Sequence, residues 1–246
     1  MSNIKHCCFL LAGVVFWGTS TALAQGVTVK AQVTVGTQKL RSRQAERDSS
    51  VVLWLTPVGG RAGVPPRAPS GGPHPQLVQK NKHFEPHVLA VEVGSAVDFP
   101  NRDPFFHNVF SLFDGKRFDL GLYEAGSTRT VHFDRAGICY IFCNIHPQMS
   151  AVVVVVDSPY FTVSNGAGEI SIPHVPSGRY LVHVWEEHCS AKNLKAASRR
   201  ADIGVNDVSL GSIHLEESQE LVMVHLNKYG RDYDPQVFSS PIYSQP

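Results

Sequence analysis

One short run concentrates the residues able to do chemistry: Gly137-Ile-Cys139-Tyr-Ile-Phe-Cys143-Asn-Ile-His146-Pro147-Gln-Met149. Read outward from Cys143, it offers a thiolate at the end of a strand, an imidazole three residues on and a thioether three residues further. A tight loop turns all three donors toward one point. Upstream, Val97-Asp-Phe-Pro-Asn101-Arg-Asp103-Pro-Phe-Phe-His107-Asn108-Val109 ends one strand and begins another, so a neighbouring strand can deliver a second imidazole from His107. Two imidazole nitrogens and a thiolate in a plane, with a distant thioether on the axis, make the donor set of a one-electron copper site. Soft sulfur suits Cu(I), imidazole suits both oxidation states, and a geometry between their preferences keeps reorganisation small. Pro147 fixes a backbone angle within the loop and removes one N–H, which stiffens it.

Taken singly, each residue has a plainer reading. A cysteine in a strand is ordinarily a small core residue, a lone methionine fills gaps, and a histidine before a strand sits at the surface. The ordered combination is what carries the signal. Zinc would accept one Cys and two His, but the Met position and the lack of a third hard ligand argue against it. His83 and His87 flank a strand start and leave room for a weak second metal site. His174, His183, His188, His214 and His225 read as surface or structural residues.

Residues 77–157 resemble a cupredoxin domain. The resemblance rests on the strand Phe84-Glu-Pro-His-Val-Leu89-Ala-Val91-Glu-Val-Gly94, the turn with Asn101 and Asp103, the His107-Asn108-Val109 triplet and the Gly137 strand leading into Cys143. The Cys-x-x-His-Pro-x-Met loop is of the amicyanin type. The resemblance implies a Greek-key β-sandwich holding one type 1 copper ion through His107, Cys143, His146 and Met149. It also implies electron transfer by way of an exposed His146 edge, and it makes Asn108 a supporting residue whose amide ties the His107 segment to the loop after Cys143. One position departs from the pattern: four residues before the ligand cysteine, where an aromatic is common, stands Cys139. The resulting Cys-x-x-x-Cys raises a dinuclear copper centre that uses both thiols. Against this, the Cys143 to His146 spacing is one residue shorter than that arrangement requires. Cys139 also lies within the strand, about 13 Å from Cys143. The expectation is a core thiol, with Cys139 kept as the alternative ligand.

The elements that must position this set are short strands. Residues 88–93, 97–99, 108–112, 130–133, 138–143 and 151–156 follow one another with turn residues between them, the spacing of an all-β sandwich. Before them, Val27, Val29, Ala31, Val33 and Val35 alternate with polar residues, the period of a strand with one buried face. Val51 to Leu55 is an unbroken apolar run, as in a strand covered on both sides. After them come 160–163, 169–172, 179–185, 208–215 and 220–226, with a single helix candidate at 191–200. Residues 158–227 are similar to the carboxypeptidase regulatory-like domain, a small transthyretin-like β-sandwich, but lack its opening strands. Residues 25–57 would supply them, which makes the copper domain an insertion; the alternative is that they extend the copper domain. Residues 58–76 are a Pro- and Gly-rich linker, and residues 228–246 a polar and aromatic tail.

Met1 to Ala24 carries one early cation, Lys5, then an apolar run of about ten residues and Ala22-Leu23-Ala24, the pattern of a cleaved export signal rather than a span. Its removal takes Cys7 and Cys8 with it, leaving Cys139, Cys143 and Cys189, and Cys189 has no evident partner. The formal charge of +1, with no basic run, excludes nucleic acid as a natural partner. These features predict a periplasmic or secreted one-electron carrier with a redox partner protein, no membrane span after export, and no enzymatic constellation. The competing prediction is an envelope binding or scaffold module in which copper is structural or stored.

Overall fold

A computed structural model describes residues 26–36, 50–59, 72–112, 115–218 and 225–233. The export signal expected at 1–24, most of the expected linker, most of the strand expected at 220–226 and residues 234–246 lie outside them. The described chain is all-β, with one short helix.

Strand β1 (Val27–Val35) buries Val27, Val29, Ala31, Val33 and Val35, as their alternation predicts. It runs antiparallel to β13 (Glu169–Val175) and parallel to β16 (Val208–Leu215). A second sheet has the order β12 (Phe161–Val163), β2 (Val52–Pro57), β14 (Gly178–Trp185), β15 (Arg199–Ile203). Both early strands therefore pair with strands from beyond residue 160. The two sheets enclose a core that includes Val29, Leu53, Leu55, Ile170, Val182 and Leu215.

Residues between β2 and β12 build a separate core. One sheet has the order β5 (Val88–Glu92), β11 (Ser150–Val156), β10 (Gly137–Cys143), β7 (His107–Ser111), β8 (Phe118–Tyr123). Facing it are β6 (Ser95–Pro100) with β9 (Thr128–Phe133) and β3 (Val78–Lys80) with β4 (His83–Glu85), joined by bridges at Gln76–Asp98 and Gln79–Asn101. Leu77, Phe99, Phe133, Ile141 and Val153 fill the space between them.

Strand β8 is absent from the sequence reading. Its alternation is obscured by Gly121, which adopts a left-handed φ of 68°, and its register with β7 slips between Asn108 and Phe110. The helix is also shorter than expected: α1 covers Ala191–Ala197, capped by Ser190, whose hydroxyl accepts from the Asn193 N–H at 3.2 Å. Arg199 and Arg200 pair instead with Val182 and Leu181 as the start of β15. Ladder pairing overrides a weak helical preference in a segment whose only large apolar residue is Leu194.

The two valine-rich runs share one explanation. Along β11, Ala151, Val153 and Val155 face this separate core, while Val152, Val154 and Val156 pack with Val88, Val52 and Trp185. Strand β2 behaves likewise, with Leu53 and Leu55 inward and Val52 toward β11. A strand buried on both faces reads as continuous apolar sequence rather than alternation. Val153→Ala and Val154→Ala should therefore each cost about 2 kcal/mol in urea denaturation, because both side chains lose buried methyl groups. If the outer face of β11 were wet, Val154→Ala would cost less than about 0.5 kcal/mol.

Candidate metal centre

Strands β7 and β10 run antiparallel, with Cys143 opposite Val109 and Phe142 opposite Phe110. This register places His107, at the start of β7, beside the end of β10. The pairing continues one residue further, where the Asn144 N–H donates to the Asn108 carbonyl at 2.8 Å. The chain then turns back on itself: the Met149 N–H donates to the His146 carbonyl at 3.0 Å, and the Cys143 N–H to the Met149 carbonyl at 3.2 Å. Residues 143–149 thus form a closed loop between β10 and β11.

Within it, Cys143 Sγ lies 3.5 Å from His107 Nδ1 and 3.6 Å from His146 Nδ1, and the two Nδ1 atoms are 3.2 Å apart. Among the described residues these three form the one group of His, Cys, Asp and Glu donors with metal-site proximity. All three are buried, as is Met149, which belongs to the same core cluster as Cys143.

Burial sets the electrostatics. It holds the His107 imidazole below its ordinary pKa, and it pushes His146 down to about 4, with the His107 and Lys82 charges adding to the effect. Burial raises the Cys143 thiol, opposed by backbone N–H groups of Asn108, Ile145 and His146 that donate to its sulfur. Both rings are thus neutral at pH 7 and ready to donate lone pairs. The three N–H groups favour the thiolate that a metal needs.

His107 is oriented from behind. Its Nε2 lies 2.9 Å from Asp103 Oδ2, leaving Nδ1 to face the cluster. Asp103 also accepts the Asn81 N–H at 2.6 Å and the Lys82 N–H at 3.0 Å. Burial pushes its carboxyl up, but those hydrogen bonds and the His107 ring outweigh burial and hold it below the usual carboxylate range. A carboxylate on the far nitrogen of a histidine donor selects its tautomer and raises its basicity. The sequence reading placed Asp103 in the turn without assigning it this part. Its position four residues before His107 was the available signal.

Several expectations need correction. The Asn108 side chain does not reach the loop after Cys143: its Nδ2 donates to Asp119 Oδ1 at 2.6 Å and the Gly121 carbonyl at 3.1 Å, both on β8, and its backbone makes the link to the loop. The His146 edge is not exposed. It retains 3 % of its accessible surface, and the half-buried Phe105 ring lies 5.4 Å from both imidazoles. Cys139 is the core thiol that was expected: it lies outside the donor group, fully buried on the core face of β10. A Cβ at Gly115 would come within 2.6 Å of its sulfur, so backbone occupies the space above it, and burial pushes its thiol up to about 11. His83 and His87 gather no metal site among the described residues. His87 Nε2 instead meets Glu187 at 2.6 Å, joining the two sandwiches, and His83 Nδ1 lies 2.7 Å from the Asn81 carbonyl. Cys189 is a buried core thiol, raised by burial and by the Glu186 charge. Part of the tail expected at 228–246 is built in, since the Tyr233 hydroxyl donates to the Cys143 carbonyl at 2.9 Å; just before the tail, His225 Nε2 donates to the Pro147 carbonyl at 2.6 Å.

The fold is thus an all-β pair of sandwiches, and the site is a buried His-Cys-His cluster at one end of the inner one. No family model and no curated protein sequence matches the chain. Among solved structures it is similar to a copper-containing nitrite reductase, NirK, from Thermus scotoductus (23% identity, TM-score 0.34, covering 35% of this chain and 23% of that one). It is also similar to a purple cupredoxin from Nitrosopumilus maritimus (23% identity, TM-score 0.31, 33% and 99%) and to a reduced tryptophan-to-tyrosine variant of amicyanin (24% identity, TM-score 0.32, 34% and 82%). The chain spans less than a quarter of the length of the nitrite reductase.

The depressed His146 pKa makes stability depend on pH. Between about 4 and 6.5 the unfolded ring binds more protons than the folded one, so this group's contribution is complete above 6.5 and is lost as pH falls toward 4. Urea denaturation of metal-free protein should show stability declining through that window. His146→Asn should flatten part of the decline, because His107 and His183, whose pKa values burial also lowers, still contribute.

Proposed function

We propose that the chain is an exported one-electron carrier that binds a single copper ion through His107, Cys143 and His146, with Met149 as a fourth, weaker donor. The observation carrying this reading is the buried trio of two Nδ1 atoms and one sulfur, all within 4.8 Å of one another. Oxygen-seeking cations find no carboxylate among these donors, while thiolate with imidazole suits copper, and a thioether is no ordinary zinc donor. Bound there, copper would supply a one-electron couple.

The chain's own residues do the rest. Asp103 holds the His107 ring in one tautomer and orientation. Three backbone N–H groups steady the Cys143 sulfur, and the closed loop 143–149 limits how far the donors can move between oxidation states. Burial excludes water and leaves no donor open to a substrate, which favours a carrier over an enzyme. The half-buried Phe105, whose ring lies 5.4 Å from both imidazoles, takes the place of a bare His146 edge as a route to the surface. A partner protein would dock beside it, and the export signal expected at 1–24 would put that meeting in the periplasm or outside the cell. Among the described residues, no helix is long and apolar enough to cross a membrane. The second sandwich, closed around β1 and β2, is read as a transthyretin-like scaffold into which the copper domain is inserted.

Visible absorption and EPR on copper-loaded protein test the assignment. The expected result is an intense charge-transfer band with one narrow copper hyperfine pattern, bleached by ascorbate and restored by mild oxidant. Cys143→Ser should abolish the band and Cys139→Ser should keep it. A mixed-valence signal lost in Cys139→Ser would instead establish a dinuclear centre. Copper that stays bound but does not cycle would favour the binding or scaffold reading. Asp103→Asn should weaken copper affinity roughly 10- to 100-fold, as measured by competition with a chelator.

A further inference from the structure

The loop that carries Cys143 and His146 presents outward-facing polar groups that its own turn does not satisfy. One remote stretch of chain meets three of them. The Tyr233 hydroxyl donates to the Cys143 carbonyl at 2.9 Å, the Lys228 N–H donates to Asn144 Oδ1 at 2.9 Å, and His225 Nε2 donates to the Pro147 carbonyl at 2.6 Å. The attachment is reinforced at His225 and Lys228. The His225 ring stacks on Phe142 with centroids 4.0 Å apart, and Lys228 Nζ pairs with Asp119 on β8 at 2.7 Å. Tyr233 closes the arrangement, its hydroxyl 3.2 Å from His225 Nδ1.

These bonds fall on the Cys143 carbonyl and on Asn144 and Pro147, which adjoin the donors, rather than on the donors' own ring or sulfur atoms. They fix the backbone from which Cys143 and His146 project, and a loop tied at three points samples fewer conformations than one tied only at its ends. We propose that residues 225–233 form a strap over the metal-ligand loop, and that Tyr233 and His225 are positioning residues that set its geometry. The placement of the strap is independent of the metal. Its consequence for a copper site rests on the function proposed above.

The test uses full-length protein carrying Tyr233→Phe, which removes one hydroxyl and keeps the ring, and His225→Ala, with His225→Gln as the conservative partner that retains an N–H donor. In metal-free protein, amide hydrogen exchange at Asn144, Ile145 and Met149 should quicken about tenfold in Tyr233→Phe and His225→Ala, with exchange in β1 and β13 unchanged, and His225→Gln should recover much of the protection. In copper-loaded protein the same two variants should shift the visible band and copper hyperfine splitting and release copper to chelator faster. Unchanged loop exchange in both variants, with β1 and β13 intact, overturns the strap. Quickened exchange with an unaltered copper spectrum overturns its role in setting donor geometry. If the parent protein forms no coloured copper site, the function fails, while the exchange result still decides the strap.

Discussion

The structure depends on keeping two imidazoles and a thiol out of water within hydrogen-bond distance of one another. Buried polar groups destabilise a fold unless something holds and satisfies them, and here neighbouring elements share that task. The β7–β10 register brings His107 beside Cys143, and the Asn144 to Asn108 backbone bond carries the pairing past the last ladder residue. Asp103 anchors the outer nitrogen of His107, and is itself held by the backbone of the β3–β4 turn. Backbone N–H groups at the Cys143 sulfur offset part of the desolvation of a thiolate. The same burial that depresses both imidazole pKa values keeps them in the lone-pair form a metal requires.

The second sandwich matters to this site through β11. That strand returns directly from Met149, and its outer face is covered by Val52 and Trp185 of the other sheet. His87 adds a polar tie, since one nitrogen meets Glu187 of the second sandwich and the other lies 3.2 Å from the Ser150 carbonyl, next to Met149. The strand behind the loop is thus packed on both faces, and residues 225–233 hold the loop from its outer side. A loop braced in this way has little room to rearrange, which suits the one-electron role proposed for it.

Much of this was legible in the residues. The alternating valines of β1, the double-faced run of β2, the strand at 151–156, and the spacing of Cys143, His146 and Met149 are local patterns, and period and spacing survive whatever the tertiary context. Strand β8 was not legible, because Gly121 and a register slip break its alternation. The end of α1 was misjudged because Arg199 gains more from pairing with β14 than from one more turn of a weak helix. Asn108 was assigned a side-chain bond that its backbone makes instead, and composition alone does not choose between two donors on one residue.

The sequence by itself determined the donor types, their order and the short loop carrying three of them, because those are properties of neighbouring residues. Only the tertiary structure decided that β1 pairs with β13 and β16 and β2 with β12 and β14 across more than a hundred residues, that Asp103 stands behind His107, and that Cys139 is sealed beneath Gly115 rather than joined to Cys143. It also decided that His146 is covered by Phe105 and that the tail returns to the loop. Each of these is a contact between segments distant in the chain. The closure of such contacts is set by how whole sheets pack, and no local pattern encodes it.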